Sequence, residues 1–140
     1  GAKKVYAIDT GTDQLAESLR KDKRVVSLEN TNYLTFDKSN FLDADIAVVD
    51  VSFVSLTKFA EKLSKDFNEI IALVKPQFEC GKDYAKKHKG VVKDEKMHEK
   101  ILKDITFVFS SVGFTLSPII PSPILGGDGN KEFLLHAVKR

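Results

Sequence analysis

The 140 residues hold a single cysteine, Cys80, which excludes an internal disulfide framework and fits a reducing compartment. A surplus of either charge is also missing: 22 Lys and Arg stand against 20 Asp and Glu, a net charge of +2. No global field draws the chain to nucleic acid, so any such attraction must rest on local patches. No apolar run approaches the roughly 20 residues of a membrane-spanning helix, and no signal peptide opens the chain. A cytoplasmic protein without membrane contact is expected. There is no initiator Met; Gly1-Ala2-Lys3-Lys4 runs straight into the apolar Val5-Tyr6-Ala7-Ile8, as in a piece cut from a longer protein. A glycine-rich phosphate loop is missing as well. Gly126-Gly127-Asp128-Gly129 follows prolines and precedes a strand, whereas a phosphate loop precedes a helix. Cys80, His88, His98 and His136 have no metal-site spacing.

What is present suffices for one domain with a real core, with 42% hydrophobic and 30% charged residues. Asp45 to Phe53 is the organising stretch. Ile46 to Val49, with Val51 beyond, is apolar without alternation and predicts a strand buried on both faces of a parallel sheet. Asp50 stands at its carboxyl end, where open α/β sheets bind ligands. The plainer reading of Asp50 is a cap for the following turn.

Other strands are expected at Val5–Ile8, Arg24–Leu28, Glu69–Val74, Phe114–Ile120 and Glu132–Val138. Helices are expected at about 13–21, with Thr12 or Asp13 as N-cap, at 55–64, and at 94–112 with Asp94 as cap and Gly113 as stop. Pro76 ends its strand, and residues 76–92 show no periodicity and predict a long loop. The sum is an α/β fold: a mostly parallel sheet finishing in an antiparallel strand pair.

Asp50, Lys75 and Glu132 each lie at or near a strand end, on what should be one rim. A lysine between carboxylates is held and oriented, and can serve as a base; the plainer reading is a structural ion-pair cluster. Asp9 after the first strand suits a ribose hydroxyl, or is simply a turn residue in Asp9-Thr10-Gly11. Lys82, Lys86, Lys87, His88, Lys89 and Lys93, with Phe78 and Tyr84 among them, can hold a phosphate backbone and stack a base, or form a solvated loop. Cys80, with only His88 as a conceivable partner, reads as a bystander, and His98 and His136 as packing or surface residues.

Five blocks go beyond spacing: Val5-Tyr6-Ala7-Ile8-Asp9, Asp50-Val51-Ser52-Phe53, Val74-Lys75-Pro76-Gln77-Phe78-Glu79, Gly90-Val91-Val92-Lys93-Asp94 and Asn130-Lys131-Glu132-Phe133-Leu134-Leu135-His136. Together, and in this order, they resemble the TlyA (haemolysin A) family of ribosomal RNA 2′-O-methyltransferases, of the FtsJ/RrmJ-like class. The resemblance implies a Rossmann-like methyltransferase sheet, S-adenosyl-L-methionine as cofactor, and ribosomal RNA or a ribosomal subunit as partner. It also implies a Lys-Asp-Lys-Glu catalytic set, of which Asp50, Lys75 and Glu132 match the last three. The first Lys, the first strand with its cofactor glycine loop, and an S4 RNA-binding domain would precede residue 1. Residues 1–140 then form a partial methyltransferase domain, inactive alone. Asp9, Asn30, Asn32 and Asp50 would face the cofactor, and Phe78, Lys82, Lys86, Lys87, Lys89 and Lys93 the RNA. Thr12-Asp13 departs from the family's usual bulky residue and glycine. Two rival functions stay open: a non-catalytic RNA-binding or ribosome-associated protein that keeps the fold, and a nicotinamide-dependent oxidoreductase.

Overall fold

The computed structural model describes residues 1–41 and 43–139. The chain divides into two compact units, Gly1–Ala44 and Asp45–Arg140.

In the first unit, β1 (Val5–Ile8) pairs in parallel with β2 (Val25–Leu28), Val5 opposite Val25 and Ile8 opposite Leu28. The connecting α1 (Glu17–Arg20) is shorter than the helix expected from residue 13, and Ala16 precedes it without a side-chain cap. The reason lies just upstream. Asp9 Oδ1 accepts from Gly11 N at 2.7 Å, a local turn that consumes the next residues. Asp13 then adopts φ 52 and pairs with Arg20 at 3.0 Å, so it cannot cap. Phe41, 2% exposed, is ringed by Tyr6, Tyr33 and Phe36 at centroid distances of 6.3, 6.3 and 5.6 Å. This aromatic cluster is the unit's core.

The second unit carries β3 (Ala47–Val49), β4 (Glu69–Val74), β5 (Thr115–Leu116), β6 (Ile120–Pro121) and β7 (Phe133–Val138). Strand order is β3-β4-β7-β5, with β6 also on β7. β3 and β4 are parallel; β7 runs antiparallel to β4, β5 and β6. The fold is α/β with a mixed sheet, parallel where strands alternate with helices and antiparallel at the end, as expected. Register places Ile70, Ala72 and Val74 beside Ala137, Leu135 and Phe133, and all six are buried.

The strand β3 departs from its reading as buried on both faces. Val48 is 75% exposed. It stands beside Ile71, on the sheet face opposite the buried Ile70 and Ala72, and β3 is an edge strand of this sheet. An apolar run shows that a strand forms, not that both of its faces are covered.

Helices follow sequence chemistry with two corrections. Ser55 accepts from Thr57 N and starts a 3-10 turn, Leu56–Phe59, that runs into α2 (Ala60–Asp66). Leu56, Phe59, Ala60 and Leu63 are buried as their spacing predicts. Residues 76–92 are not one loop: they hold α3 (Pro76–Glu79) and α4 (Lys82–Lys87). Pro76 ends β4 but starts α3, because its fixed φ and missing N–H suit the first helical position. Helix α5 (Glu95–Ser111) is capped by Asp94, which accepts from Lys96 N at 3.0 Å. It ends in a paired turn: Gly113 N bonds Ser110 O and Phe114 N bonds Phe109 O, with Gly113 at φ 97 and the two rings 6.0 Å apart. The strand expected over 114–120 is two short pieces, since Pro118 has no N–H to donate between them. Among the described residues, no helix is long and apolar enough to cross a membrane.

Candidate active site

Lys75 follows β4 directly and precedes α3; its side chain is only 14% exposed. Its Nζ lies 2.7 Å from Asp50 Oδ1 and donates to Ser52 Oγ at 2.9 Å. Asp50 follows β3 and is itself 66% exposed. Parallel pairing of β3 with β4 brings the two strand ends together, so the pair is a direct product of topology. Across it lie Phe78, whose ring centroid is 6.0 Å from Lys75 Nζ, and Phe53, 4.9 Å from Phe78. Phe53 is 90% exposed and adopts φ 62.

Glu132, just ahead of β7, is 6% exposed. Among the described residues it makes no ion pair. Gln77 Nε2 donates to its Oε1 at 2.9 Å. The charged set is therefore assembled in two halves, Lys75 with Asp50 and Glu132 with Gln77, joined by the single turn of α3. Glu79, on the same turn, accepts from Ser55 Oγ and Leu56 N, both at 2.6 Å. That bond locks the turn to the segment leaving Asp50. Neither the Gln77 and Glu79 bonds nor Ser52's was foreseen. The turn opening at Pro76 spaces Lys75, Gln77 and Glu79 around one local axis, and four residues are too few to show it as a sequence pattern.

In the first unit Asp9 sits past β1, and its Oδ1 accepts from Gly11 N in a local turn. Its Oδ2 has no hydrogen bond among the described residues. Asn30, at φ 49, lies alongside, with its N–H on Gly11 O at 3.1 Å and its exposed amide free of partners among the described residues. Asn32 Oδ1 caps the 3-10 turn Tyr33–Thr35 through Leu34 N at 3.0 Å. A carboxylate oxygen and an amide at strand ends suit the hydroxyls of a ribose and the edge of a purine.

Lys82, Lys86 and Lys87 lie on α4, and Lys89 and Lys93 beyond it; all five are exposed and unpaired among the described residues. Tyr84 and His88 stack at 4.0 Å and 18°. Phe78 belongs instead with Lys75. The segment is pinned from beneath by Asn130, 2% exposed, whose Oδ1 accepts from Val92 N at 2.9 Å while Nδ2 donates to Gly90 O and Gly127 O.

Cys80 stays apart from this chemistry. Burial pushes its thiol up from the usual range, and its Sγ faces the Gln77 and Gly81 carbonyls, not His88. His98 is a packing residue, 3% exposed, bonded to Val92 O and edge-on to Phe133 at 5.4 Å. His136 bridges Glu69 Oε1 and Ser117 Oγ, each at 2.9 Å, at the opposite end of β4 from Lys75. No metal-holding cluster occurs among the described residues.

The Lys75–Asp50 pair stands at the carboxyl ends of β3 and β4, the rim where open α/β sheets bind ligands. The chain belongs to the FtsJ-like methyltransferase family, which it matches over residues 1–139. It is 43% identical to the protein named "Putative rRNA methyltransferase YqxC" of Bacillus subtilis, over 97% of this chain and 50% of that protein. It is 35% identical to the 23S rRNA (cytidine-2′-O)-methyltransferase TlyA of Campylobacter jejuni, over 99% of this chain and 54% of that one. Among solved structures, the "putative hemolysin" of Lactococcus lactis superposes with a TM-score of 0.93 at 37% identity, over 100% of this chain and 69% of that one. The chain thus spans about half the length of the curated relatives it matches.

Proposed function

We propose that this chain forms the greater part of the catalytic domain of an S-adenosyl-L-methionine-dependent ribosomal RNA 2′-O-methyltransferase acting in the cytoplasm. The observation that carries this reading is the Lys75 ammonium, held by Asp50 at 2.7 Å and Ser52 at 2.9 Å on the strand-end rim. The relatives' names supply the reaction class; the geometry supplies a residue for it.

S-adenosyl-L-methionine, when bound, supplies the methyl group. Asp9, Asn30 and Asn32 would hold its adenosine end. Lys75 Nζ would meet the acceptor ribose 2′-hydroxyl: as the ammonium it donates to the hydroxyl oxygen and orients its lone pair, and only as the neutral amine does it take the hydroxyl proton. Asp50 and Ser52 fix where Nζ points, so little reorganisation is left for the reaction itself. Glu132 adds negative charge close to this cationic site. Phe53 and Phe78 offer ring faces to the target base. The lysines of α4 and the turn after it take the phosphates of flanking nucleotides. By itself, the 140-residue chain lacks a glycine-rich turn between a strand and a helix, and we expect it to be inactive.

The test uses the full-length gene product, methyl-labelled cofactor and ribosomal subunits from a strain without the gene. Label in ribosomal RNA, at a nucleotide that then resists alkaline cleavage on its 3′ side, is the expected result. Tight subunit binding with no label transferred would overturn the reading in favour of a non-catalytic RNA-binding protein.

A further inference from the structure

Glu132 is a buried carboxylate among few partners. Burying a charge is costly unless it is paired or well hydrogen-bonded. Two neighbours determine where its oxygens sit. The first is Gln77, whose Nε2 donates to Oε1 at 2.9 Å. The other half of this amide, Oε1, is buried without a hydrogen bond among the described residues. An unsatisfied amide oxygen is itself unfavourable, so Gln77 keeps this orientation for the sake of its donor. The second is Gly126. A Cβ on Gly126 would lie 2.0 Å from Glu132 Oε1, 2.4 Å from Cδ and 3.0 Å from Oε2. Gly126 has an ordinary negative φ of −80, so a side chain there meets no backbone strain; it would instead displace the Glu132 carboxylate. Its N–H is fixed to Asn130 O at 2.8 Å, and Ser122 N bonds the backbone of Glu132 at 2.8 Å. Loop 122–130 thus closes like a plate on one side of the carboxylate, and α3 reaches it from another.

Resting on the methyltransferase reading above, we infer that Gln77 and Gly126 are positioning residues that hold the Glu132 carboxylate where methyl transfer requires it. Gln77 sits on the same turn as Lys75, so one local element sets both ends of the charged set. Gly126 leaves room for the carboxylate and no room for a methyl group beside it.

The experiment compares variants of the full-length protein in single-turnover methyl transfer to ribosomal subunits, across pH. Glu132→Gln comes first and should slow transfer. Gln77→Ala should lower the transfer rate by about 10- to 100-fold, the scale of one hydrogen bond to a charged group, with cofactor affinity unchanged. Gln77→Glu keeps the shape and places a second carboxylate against the first. The pair then shares a proton, and the acid limb of the rate profile should move to higher pH. A merely structural glutamine would not move that limb. Gly126→Ala and Glu132→Asp should be non-additive, the double variant losing less than the product of the two single losses, because the shorter acid makes room for the methyl group. If Glu132→Gln transfers methyl at the wild-type rate, the mechanistic reading of the charged set fails and positioning fails with it. If Glu132→Gln is slow while Gln77→Ala and Gln77→Glu behave as wild type and the Gly126 and Glu132 losses multiply, the positioning inference alone is overturned.

Discussion

The rings of Phe53 and Phe78 lie 4.9 Å apart, and Phe53 holds that contact from a backbone at φ 62 while 90% exposed. A bulky residue in this region is strained by about 1 kcal/mol or more, and its exposure returns little burial. Strain without local benefit is expected where a ring is kept for a ligand. Phe53→Gly should therefore leave the thermal midpoint of the protein undiminished. It should slow methyl transfer by about 5- to 150-fold, because base stacking on an aromatic ring contributes about 1–3 kcal/mol. A variant that unfolds at lower temperature yet transfers normally would make Phe53 a packing residue.

The lysines of α4 and of the turn after it lead to a salt-dependent prediction. Lys86, Lys87 and Lys89 are exposed and carry no counter-charge among the described residues. Their joint replacement by Ala should weaken RNA binding by the full-length protein and flatten its logarithmic salt dependence by a slope of about one per lost contact. An unchanged slope in a filter-binding titration would leave α4 as solvated surface.

Much of this was legible before any coordinate. The strands are short and apolar, their ends carry Asp50, Lys75 and Glu132, and parallel connection of neighbouring strands must bring Asp50 and Lys75 to one rim. Helix α5 could be read almost to the residue because Asp94 and Gly113 are strong end signals. Three features were hidden. The turn α3 is too short to show periodicity, so the bonds of Gln77 and Glu79 could not be inferred. Exposure of Val48 depends on what covers the sheet, which a strand's own residues do not encode. The close approach of Gly126 to the carboxylate six residues later is a contact that only the folded loop creates.

Cys80 should be slow to react. Burial raises its thiol pKa, so little thiolate exists at neutral pH, and the thiolate is the reactive form. Its alkylation in the folded protein at pH 7 should be slower than that of a free thiol, and should accelerate as the pH is raised past the ordinary cysteine range. Cys80→Ser should keep full transfer activity. Rapid labelling at pH 7 that also stops transfer would contradict the separation of Cys80 from the site.

The isolated 140-residue chain should bind S-adenosyl-L-methionine weakly or not at all. Asp9 and Asn30 offer contacts to one end of the cofactor, and among the described residues no glycine-rich turn joins a strand to a helix for close approach to the rest. Titration calorimetry on residues 1–140 measures this. Tight, stoichiometric binding would mean that the cofactor is held by other residues.

Lys75 is where the account stands or falls. It is held at 2.7 Å by Asp50 and 2.9 Å by Ser52. The decisive measurement is single-turnover methyl transfer to ribosomal subunits by full-length Lys75→Ala, with cofactor binding followed alongside. The rate should fall by about 10²-fold or more, the scale of a positioned proton-transfer group, while cofactor affinity stays nearly intact. Lys75→Arg should not restore it, since a guanidinium differs in shape and stays protonated. Transfer by Lys75→Ala at the wild-type rate would make Lys75 an ion-pair partner of Asp50 and nothing more, and would contradict the proposed mechanism.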